Sequence, residues 1–535
     1  MRTNKVLHSG SATSIFGFLA ISFMIFLLLT NCSTKEKPFD FLIQDALVFT
    51  GENEEPQLLD IGIKDEFIVF VGKPALNKLK AKRVIEAKGL FVTPGFIDPH
   101  THLESDLSSL EYKSNLSALK QGVTTVFVGN DGNSPLPVGR KLEQWEREGI
   151  GTNAGLFVGH GTVRRIVLGL KDKQPTEDEL KEMQSLVLKS MEEGAFGLST
   201  GLFYAPGSFA REDEVIALAQ IAKEYGGIYD SHIRDESSYS IGLLASIQEA
   251  INIGEKTGIP VHISHIKALG TDVWGKSNEV IKIIEEAKKK GLVFTANQYP
   301  YLASKTSFRA TVIPRWVEDG GNEAMLERFR ANEHRSRLYN EIAENIRKRG
   351  GAEALVFSQT QNPGYNGISL KQFAEERNLS EPDAAVAILS EEPGIGVISY
   401  NMIEEDLINF MRKDWVVTGS DGGSGHPRKF GSFARKIGYF AMDQNWIDLS
   451  FAIHQSTAKT ARVLGLEKRG EIKEGYYADI AVFDPDKFID KATFENPHVE
   501  AEGISYVFVN GHLTINEGIY TGELKGKPLR LNQHK

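Results

Sequence analysis

The chain contains one cysteine, Cys32, in 535 residues. That scarcity excludes an intrachain disulfide, a thiolate metal site and a cysteine nucleophile in the body of the protein. Positive charge is also in deficit: 61 Lys and Arg against 71 Asp and Glu leave a formal net charge of −10, and no basic stripe occurs. Without a field to hold phosphate backbones, nucleic acid is not an expected partner. The serine-bearing stretches Ser237-Ser238 and Ser420-Asp-Gly-Gly-Ser424 lack a Gly-x-Ser-x-Gly elbow, which argues against a serine hydrolase. What remains, 41% hydrophobic and 25% charged residues, is the composition of a well-packed globular protein; disordered, collagenous and multi-span membrane classes are excluded.

Long apolar runs are nearly absent too, with one exception at the start. Residues 15–29 (IFGFLAISFMIFLLL) follow a segment whose charges are Arg2 and Lys5, giving a basic n-region and an h-region. Leu29-Thr30-Asn31-Cys32-Ser33 comes next. This arrangement resembles a bacterial lipoprotein signal spanning 1–32, which implies that Cys32 is lipidated and becomes the first mature residue. An uncleaved signal anchor is the alternative, since the uncharged stretch almost spans about 30 Å of hydrocarbon. Either reading expects a body tethered to a membrane in the bacterial cell envelope, on its periplasmic or outer-membrane face.

After a short polar tether, residues 39–93 read as short strands separated by turns at Gly51-Glu-Asn-Glu54 and Gly72-Lys-Pro74. From Phe96 onward apolar runs alternate with helix-length segments, the pattern of βα repeats. Eight runs can be counted: Phe96–Ile97, Thr124–Val128, Ala154–Val158, Ala195–Leu198, Gly227–Tyr229, Pro260–Ile263, Leu292–Thr295 and Trp415–Thr418. Eight strands predict a (β/α)8 TIM-like barrel over 94–468. The segment 304–413, helical over Asn322–Arg349, is too long for a simple connection and is expected to wall or cover the site. The tail 469–525 returns to β character and is expected to pair with the N-terminal unit in a small β-sandwich.

The residues that follow each run are polar or metal-binding, and in a barrel strand C-termini converge on one face. His100 and His102 alternate and can grip one ion. They sit in PGFIDPHTH, residues 94–102, which resembles the signature of the amidohydrolase superfamily, metal-dependent hydrolases on a distorted barrel flanked by a β-sandwich. Gly122-Val-Thr-Thr125, Gly197-Leu-Ser-Thr-Gly-Leu202 with Tyr204, Ser231-His-Ile-Arg-Asp-Glu236, Ile263-Ser-His-Ile-Lys267, Gln298-Tyr-Pro-Tyr301, Gly419-Ser-Asp-Gly422 and His426-Pro-Arg428 narrow the resemblance to the D-aminoacylase (N-acyl-D-amino-acid deacylase) family.

The resemblance implies that His232 and His265 join His100 and His102 as metal ligands. Where the family commonly carries a ligating cysteine after the second strand, this chain has Asp131. A carboxylate there can bind or bridge, so one or two ions, Zn²⁺ or another divalent metal, are compatible; capping of the turn before Gly132 is the alternative role for Asp131. Asp421 stands at the family's catalytic aspartate. Lys267, two residues past His265 and so on the same strand face, resembles with Tyr299 and Arg428 the clamp for a substrate α-carboxylate, and Tyr204 is expected to line that pocket. His262, of opposite parity to His265, and His160 read as structural.

The resemblance implies a metal-dependent hydrolase that cleaves N-acyl-D-amino acids to a carboxylate and a free D-amino acid. A dipeptidase for peptides with a C-terminal D-residue, such as peptidoglycan breakdown supplies, differs only by an amino group on the acyl side. A cyclic amidase of the dihydroorotase or hydantoinase kind shares the fold. A retired, lipid-anchored binding protein would be expected to lose the ligands or Asp421, and these are present.

Overall fold

The structure is a computed structural model and describes residues 1, 7, 8, 38–74 and 79–531. Cys32 and the apolar run before it lie outside the described residues. Among the described residues, no helix is long and apolar enough to cross a membrane.

Eight parallel strands form the barrel: β1 (Phe96–Asp98), β2 (Val123–Val128), β3 (Asn153–Leu156, resumed at Val158–Gly159), β4 (Gly197–Gly201), β5 (Ile228–His232), β6 (Val261–Ile263), β7 (Phe294–Gln298) and β8 (Val416–Thr418). β1 to β3 pair in sequence, and the second part of β3 starts the run that continues through β8. Closure comes where β8 meets β1: the Asp421 N–H donates to the His100 carbonyl and the His102 N–H to the Gly422 carbonyl, both at 2.9 Å. Asp98 reinforces the seam, one carboxylate oxygen accepting from the N–H groups of His100 and Ser420.

β4, β5 and β7 reach further than the apolar runs predict, taking in Ser199, Thr200, Ser231, His232, Asn297 and Gln298. Inside a closed barrel, polar side chains can satisfy one another across strands, so hydrophobicity ends before the strand does. Asp230 shows how. It accepts from Asn130 Nδ2 at 2.9 Å and Ser264 Oγ at 3.1 Å.

Helices ring the barrel. That at Glu177–Glu192 begins with a capping box between Thr176 and Glu179, and it buries Met183, Val187 and Met191 on one face. Between β7 and β8 the chain builds a module with its own core, including Phe308, Met325, Phe357 and Leu389. Its three-stranded antiparallel sheet (Ala303–Ser307, Gly396–Tyr400 and Leu355–Ser358) stands over the strand ends, and helices Asn322–Arg330 and Arg335–Lys348 occupy the predicted helical stretch.

The N- and C-terminal β segments join in one nine-stranded sheet, where Phe91–Pro94 pairs antiparallel with Ile480–Phe483. Phe41 and Phe508 sit three strands apart in that sheet, about 14 Å in a flat one. Their rings are 5.1 Å apart. The sheet is therefore folded on itself around a shared core of Ile43, Ile61, Ile480 and Phe508, forming a sandwich from one continuous sheet.

Candidate active site

The loops after β1, β2, β5, β6 and β8 bring the titratable groups together. His100 Nε2 lies 3.6 Å from Asp131 Oδ1 and 3.7 Å from Asp421 Oδ1. His102 Nε2 lies 3.4 Å from Asp131 Oδ2 and 3.1 Å from Asp421 Oδ1. His265 Nε2 is 3.5 Å from Asp131 Oδ1, while its Nδ1 is 3.1 Å from Glu236 Oε1. His232 belongs to the Glu236 side, at 3.9 Å from Oε2. Its Nδ1 is held at 3.0 Å by the Ile233 carbonyl and its ring stacks on Phe203, leaving Nε2 facing the site.

Three of these residues sit at positive φ: Asp131 at 54°, His265 at 36° and Asp421 at 49°. Such backbone costs on the order of 1–3 kcal/mol per residue and persists only where surroundings enforce it. At Asp131 the next residue is part of the enforcement, because Gly132 also has positive φ and a Cβ there would meet Gly201 N at 2.8 Å. At His265 the enforcement comes from Asn297, which accepts the His265 N–H at 2.8 Å on its side chain.

Buried charge is balanced unevenly. The Lys267 ammonium lies 2.6 Å from Glu236 Oε1, and Arg428 Nη1 lies 2.7 Å from Asp421 Oδ2. Burial favours the neutral acid for Asp421, but Arg428, His265 and His102 outweigh it and hold the carboxyl below the usual carboxylate range. Burial is likewise overcome at Glu236, by Lys267 and the two neighbouring histidines. Burial takes His100 down to about 4, against the pull of Asp131. His265 goes the other way, to about 9, because Glu236, Asp131 and Asp421 outweigh burial and Lys267. Asp131 alone of the three carboxylates has no Lys or Arg partner among the described residues, only imidazoles.

The donor set fits a metal ion. Both ring nitrogens of His100 and Asp131 Oδ1 are buried without a hydrogen-bond partner, a costly state for a finished structure. Two atoms that each ligate one ion from about 2.1 Å at the tetrahedral angle lie about 3.4 Å apart. The nitrogen-to-carboxylate separations of 3.4 to 3.6 Å around Asp131 have that spacing. His100, Asp131, His265 and Asp421 form one group able to hold an ion, and His232, Glu236 and His265 a second.

Lys267, Tyr299, Arg428 and Tyr204 line the same cavity as His232, His265 and Asp421. Tyr299 Oη is buried without a partner, and its ring packs 4.7 Å from the Arg428 guanidinium. Tyr204 Oη pairs with Thr306 Oγ1 at 3.1 Å. His426 positions the arginine: its Nδ1 accepts the Arg428 N–H and its Nε2 contacts the Ala303 carbonyl, each at 3.0 Å. A cleft of about 490 Å³ opens from this cavity toward solvent, walled by the β7–β8 module.

The amidohydrolase family model matches residues 83–292 and 408–515. The chain belongs to the amidohydrolase family. It lies on the D-aminoacylase branch: D-aminoacylase of Alcaligenes xylosoxydans xylosoxydans is 31% identical over 93% of this chain and 98% of the relative. N-acyl-D-glutamate deacylase of the same organism is 30% identical over 89% and 93%. Among solved structures, D-aminoacylase superposes with a TM-score of 0.79 at 30% identity, over 92% of this chain and all of the other. N-acyl-D-glutamate deacylase from Bordetella bronchiseptica, complexed with zinc and a phosphonate inhibitor, gives 0.80 at 28% over the same shares. D-hydantoinase, at 0.54 and 16%, shares the fold.

The expected catalytic, metal and substrate-binding residues all lie at the mouth, with two departures from the sequence expectation. β6 ends at Ile263, so strand alternation does not carry Lys267 beside His265. Instead the chain turns at His265, and Lys267 Nζ folds back to the His265 carbonyl at 2.8 Å and its Nδ1 at 2.6 Å. Glu236 was not among the expected site residues, although its place four residues after His232 in Ser231–Glu236 was a usable signal. His262 is structural through Thr295 Oγ1 and Asn297 Nδ2, and His160 pairs with Glu214 at 2.7 Å.

Proposed function

We propose that this amidohydrolase is a metal-dependent deacylase that releases a carboxylate and a free D-amino acid from N-acyl-D-amino acids. The observation that carries the reading is the meeting, in one cavity, of the donor group around Asp131 with the Lys267, Tyr299 and Arg428 cluster. A divalent metal, zinc on this imidazole and carboxylate donor set, would be held by His100, His102, His265, His232 and Asp131, and would supply Lewis-acid chemistry for the scissile carbonyl and the attacking water.

The chain's own groups do the rest. Asp421, kept ionised beside Arg428, takes a proton from the attacking water and delivers it to the amide nitrogen as the C–N bond breaks. Arg428, Lys267 and the free phenol of Tyr299 receive the α-carboxylate, for which a guanidinium offers paired donors. With carboxylate and carbonyl both fixed, the α-carbon has one direction for its side chain, toward Tyr204 and the open cleft for a D-residue.

Protein depleted of metal and reloaded with zinc should release free D-amino acid from N-acetyl-D-amino acids and far less product from the L-enantiomers. No release from any N-acyl-D substrate overturns the deacylase reading; equal rates for both enantiomers overturn its stereochemistry.

We also propose an envelope location with a lipid anchor at Cys32, supported by the basic start, the run 15–29 and the solitary cysteine after it. Replacing Cys32→Ala should abolish incorporation of labelled fatty acid. A wild-type protein that takes up no label overturns this.

A further inference from the structure

The cleft leading to the metal cavity has an unusual lining. Apart from the Tyr204 ring, each side chain lining it is polar, charged or absent, as at Gly394, Gly396 and Gly423. A long acyl chain or an aliphatic side chain would find little apolar surface there to remove it from water.

One charge in that lining stands apart. Lys305, on the strand Ala303–Ser307 of the β7–β8 module, touches both the inner cavity and the outer cleft. Its ammonium is hydrogen-bonded to Gln359 Oε1, a neutral amide. Nearby cations have carboxylates: Lys267 has Glu236, Arg428 has Asp421 and Lys429 has Asp106. Among the described residues Lys305 has no such ion pair. Burial, with Arg428 adding to it, brings its ammonium down to about 8 against the pull of Asp421. Lys305 is half-buried at the edge of the cleft, and a partly desolvated cation without a counter-ion is a favourable place for an arriving anion.

Its position relative to the proposed α-carboxylate clamp sets the reach. Arg428 Nη2 donates to the Lys305 carbonyl at 3.4 Å, so the two residues adjoin. Lys305 Cε lies about where a Cβ on Gly396 would make ordinary contact, 3.6 Å away, placing the end of the chain toward the outer cleft.

We infer that Lys305, with Gln359, forms a second anion subsite that takes a further carboxylate of the substrate, so that the preferred substrates are doubly anionic N-acyl-D-amino acids. This rests on the deacylase reading. The second carboxylate can belong to an acidic D-side chain or to a dicarboxylic acyl group; both present the same chemistry to Lys305.

Two matched substrate pairs separate these sources in the zinc-loaded enzyme: N-acetyl-D-glutamate against N-acetyl-D-glutamine, and N-succinyl-D-alanine against N-succinamyl-D-alanine. One pair should favour the acid in kcat/KM by about tenfold or more, chiefly through KM, as a charge-assisted hydrogen bond allows. Lys305→Met should bring that ratio near unity, and Lys305→Arg should keep most of it. Absence of acid preference in both pairs, or a preference that survives Lys305→Met, overturns the subsite. Should no N-acyl-D-amino acid be hydrolysed, the deacylase reading falls separately. Calorimetric binding of N-acetyl-D-glutamate then decides the subsite, weaker binding by Lys305→Met supporting it and equal binding overturning it.

Discussion

At the C-terminal ends of the barrel strands, Asp131, Glu236 and Asp421 are buried among histidines, and ring nitrogens of His100 and an oxygen of Asp131 have no partner. At the opposite end, Asp479 is equally buried but completely answered. It pairs with Arg469, accepts from Asn153 Nδ2 at 3.2 Å and takes the Asn510 N–H at 2.8 Å. Asn510 in turn donates to Asn153 Oδ1 and the Lys525 carbonyl, while Arg469 Nη2 donates to Asn510 Oδ1. Through these bonds the base knots β3, the folded sheet and the C-terminal tail together. The lesson is that burial of charge does not by itself mark a functional site. Satisfied charge at the base holds parts of the chain in place; at the mouth, the unpartnered atoms of His100 and Asp131 are placed to ligate an ion.

The largest effect is expected at the base. Arg469→Met leaves Asp479 buried without its cation, and removal of one member of a buried pair costs about 3–5 kcal/mol. Equilibrium unfolding should show that loss while the folded fraction keeps its kcat. An unchanged stability would mean that the base network holds nothing together.

At the mouth the effect should be on rate. Asp421→Asn is expected to lower kcat by at least about 10²-fold, the low end for a proton-transfer group, with the metal content measured by atomic absorption retained. A near-normal kcat would remove Asp421 from the chemistry. The expected site residues were legible through the family motifs they resemble, most of them close after a strand although Arg428 opens a helix ten residues past β8, and the barrel was legible from eight spaced apolar runs. The pairing of the C-terminal tail with the N-terminal β unit was legible as well; what the sequence did not reveal is that the sandwich is one continuous sheet folded on itself, or that Phe91–Pro94 and Ile480–Phe483 are the strands that join its halves. Nor did it reveal Glu236, whose importance depends on how the loop after β5 brings it against Lys267 and His265.

The smallest effect is expected in a buried ion cluster on the mouth side of β3. Glu214 contacts His160 and Arg164, which overcome burial and hold its carboxyl below the ordinary range. A depressed carboxyl contributes stability above its unfolded pKa, and that contribution is lost as pH falls through the folded value. Thermal unfolding from about pH 5 downward should therefore show a shallower decline in Glu214→Gln than in wild type, by up to about 1.4 kcal/mol per pH unit for one proton. Parallel declines would show that Glu214 titrates as it does in the unfolded chain.

The sequence alone determined the barrel, because strand periodicity is a local property, and its short motifs carried the family resemblance that pointed to nearly all the groups at the mouth. Only the tertiary structure decided which of those groups face each other. The positive-φ turns at Asp131, His265 and Asp421 aim three side chains that strand parity cannot place. Pairing of Lys267 with Glu236 and of Arg428 with Asp421, against Lys305 left with a neutral amide, depends on distances between β5, β6, β8 and the β7–β8 module. Electrostatic balance is a sum over neighbours in space, and residues remote in the chain supply most of those neighbours.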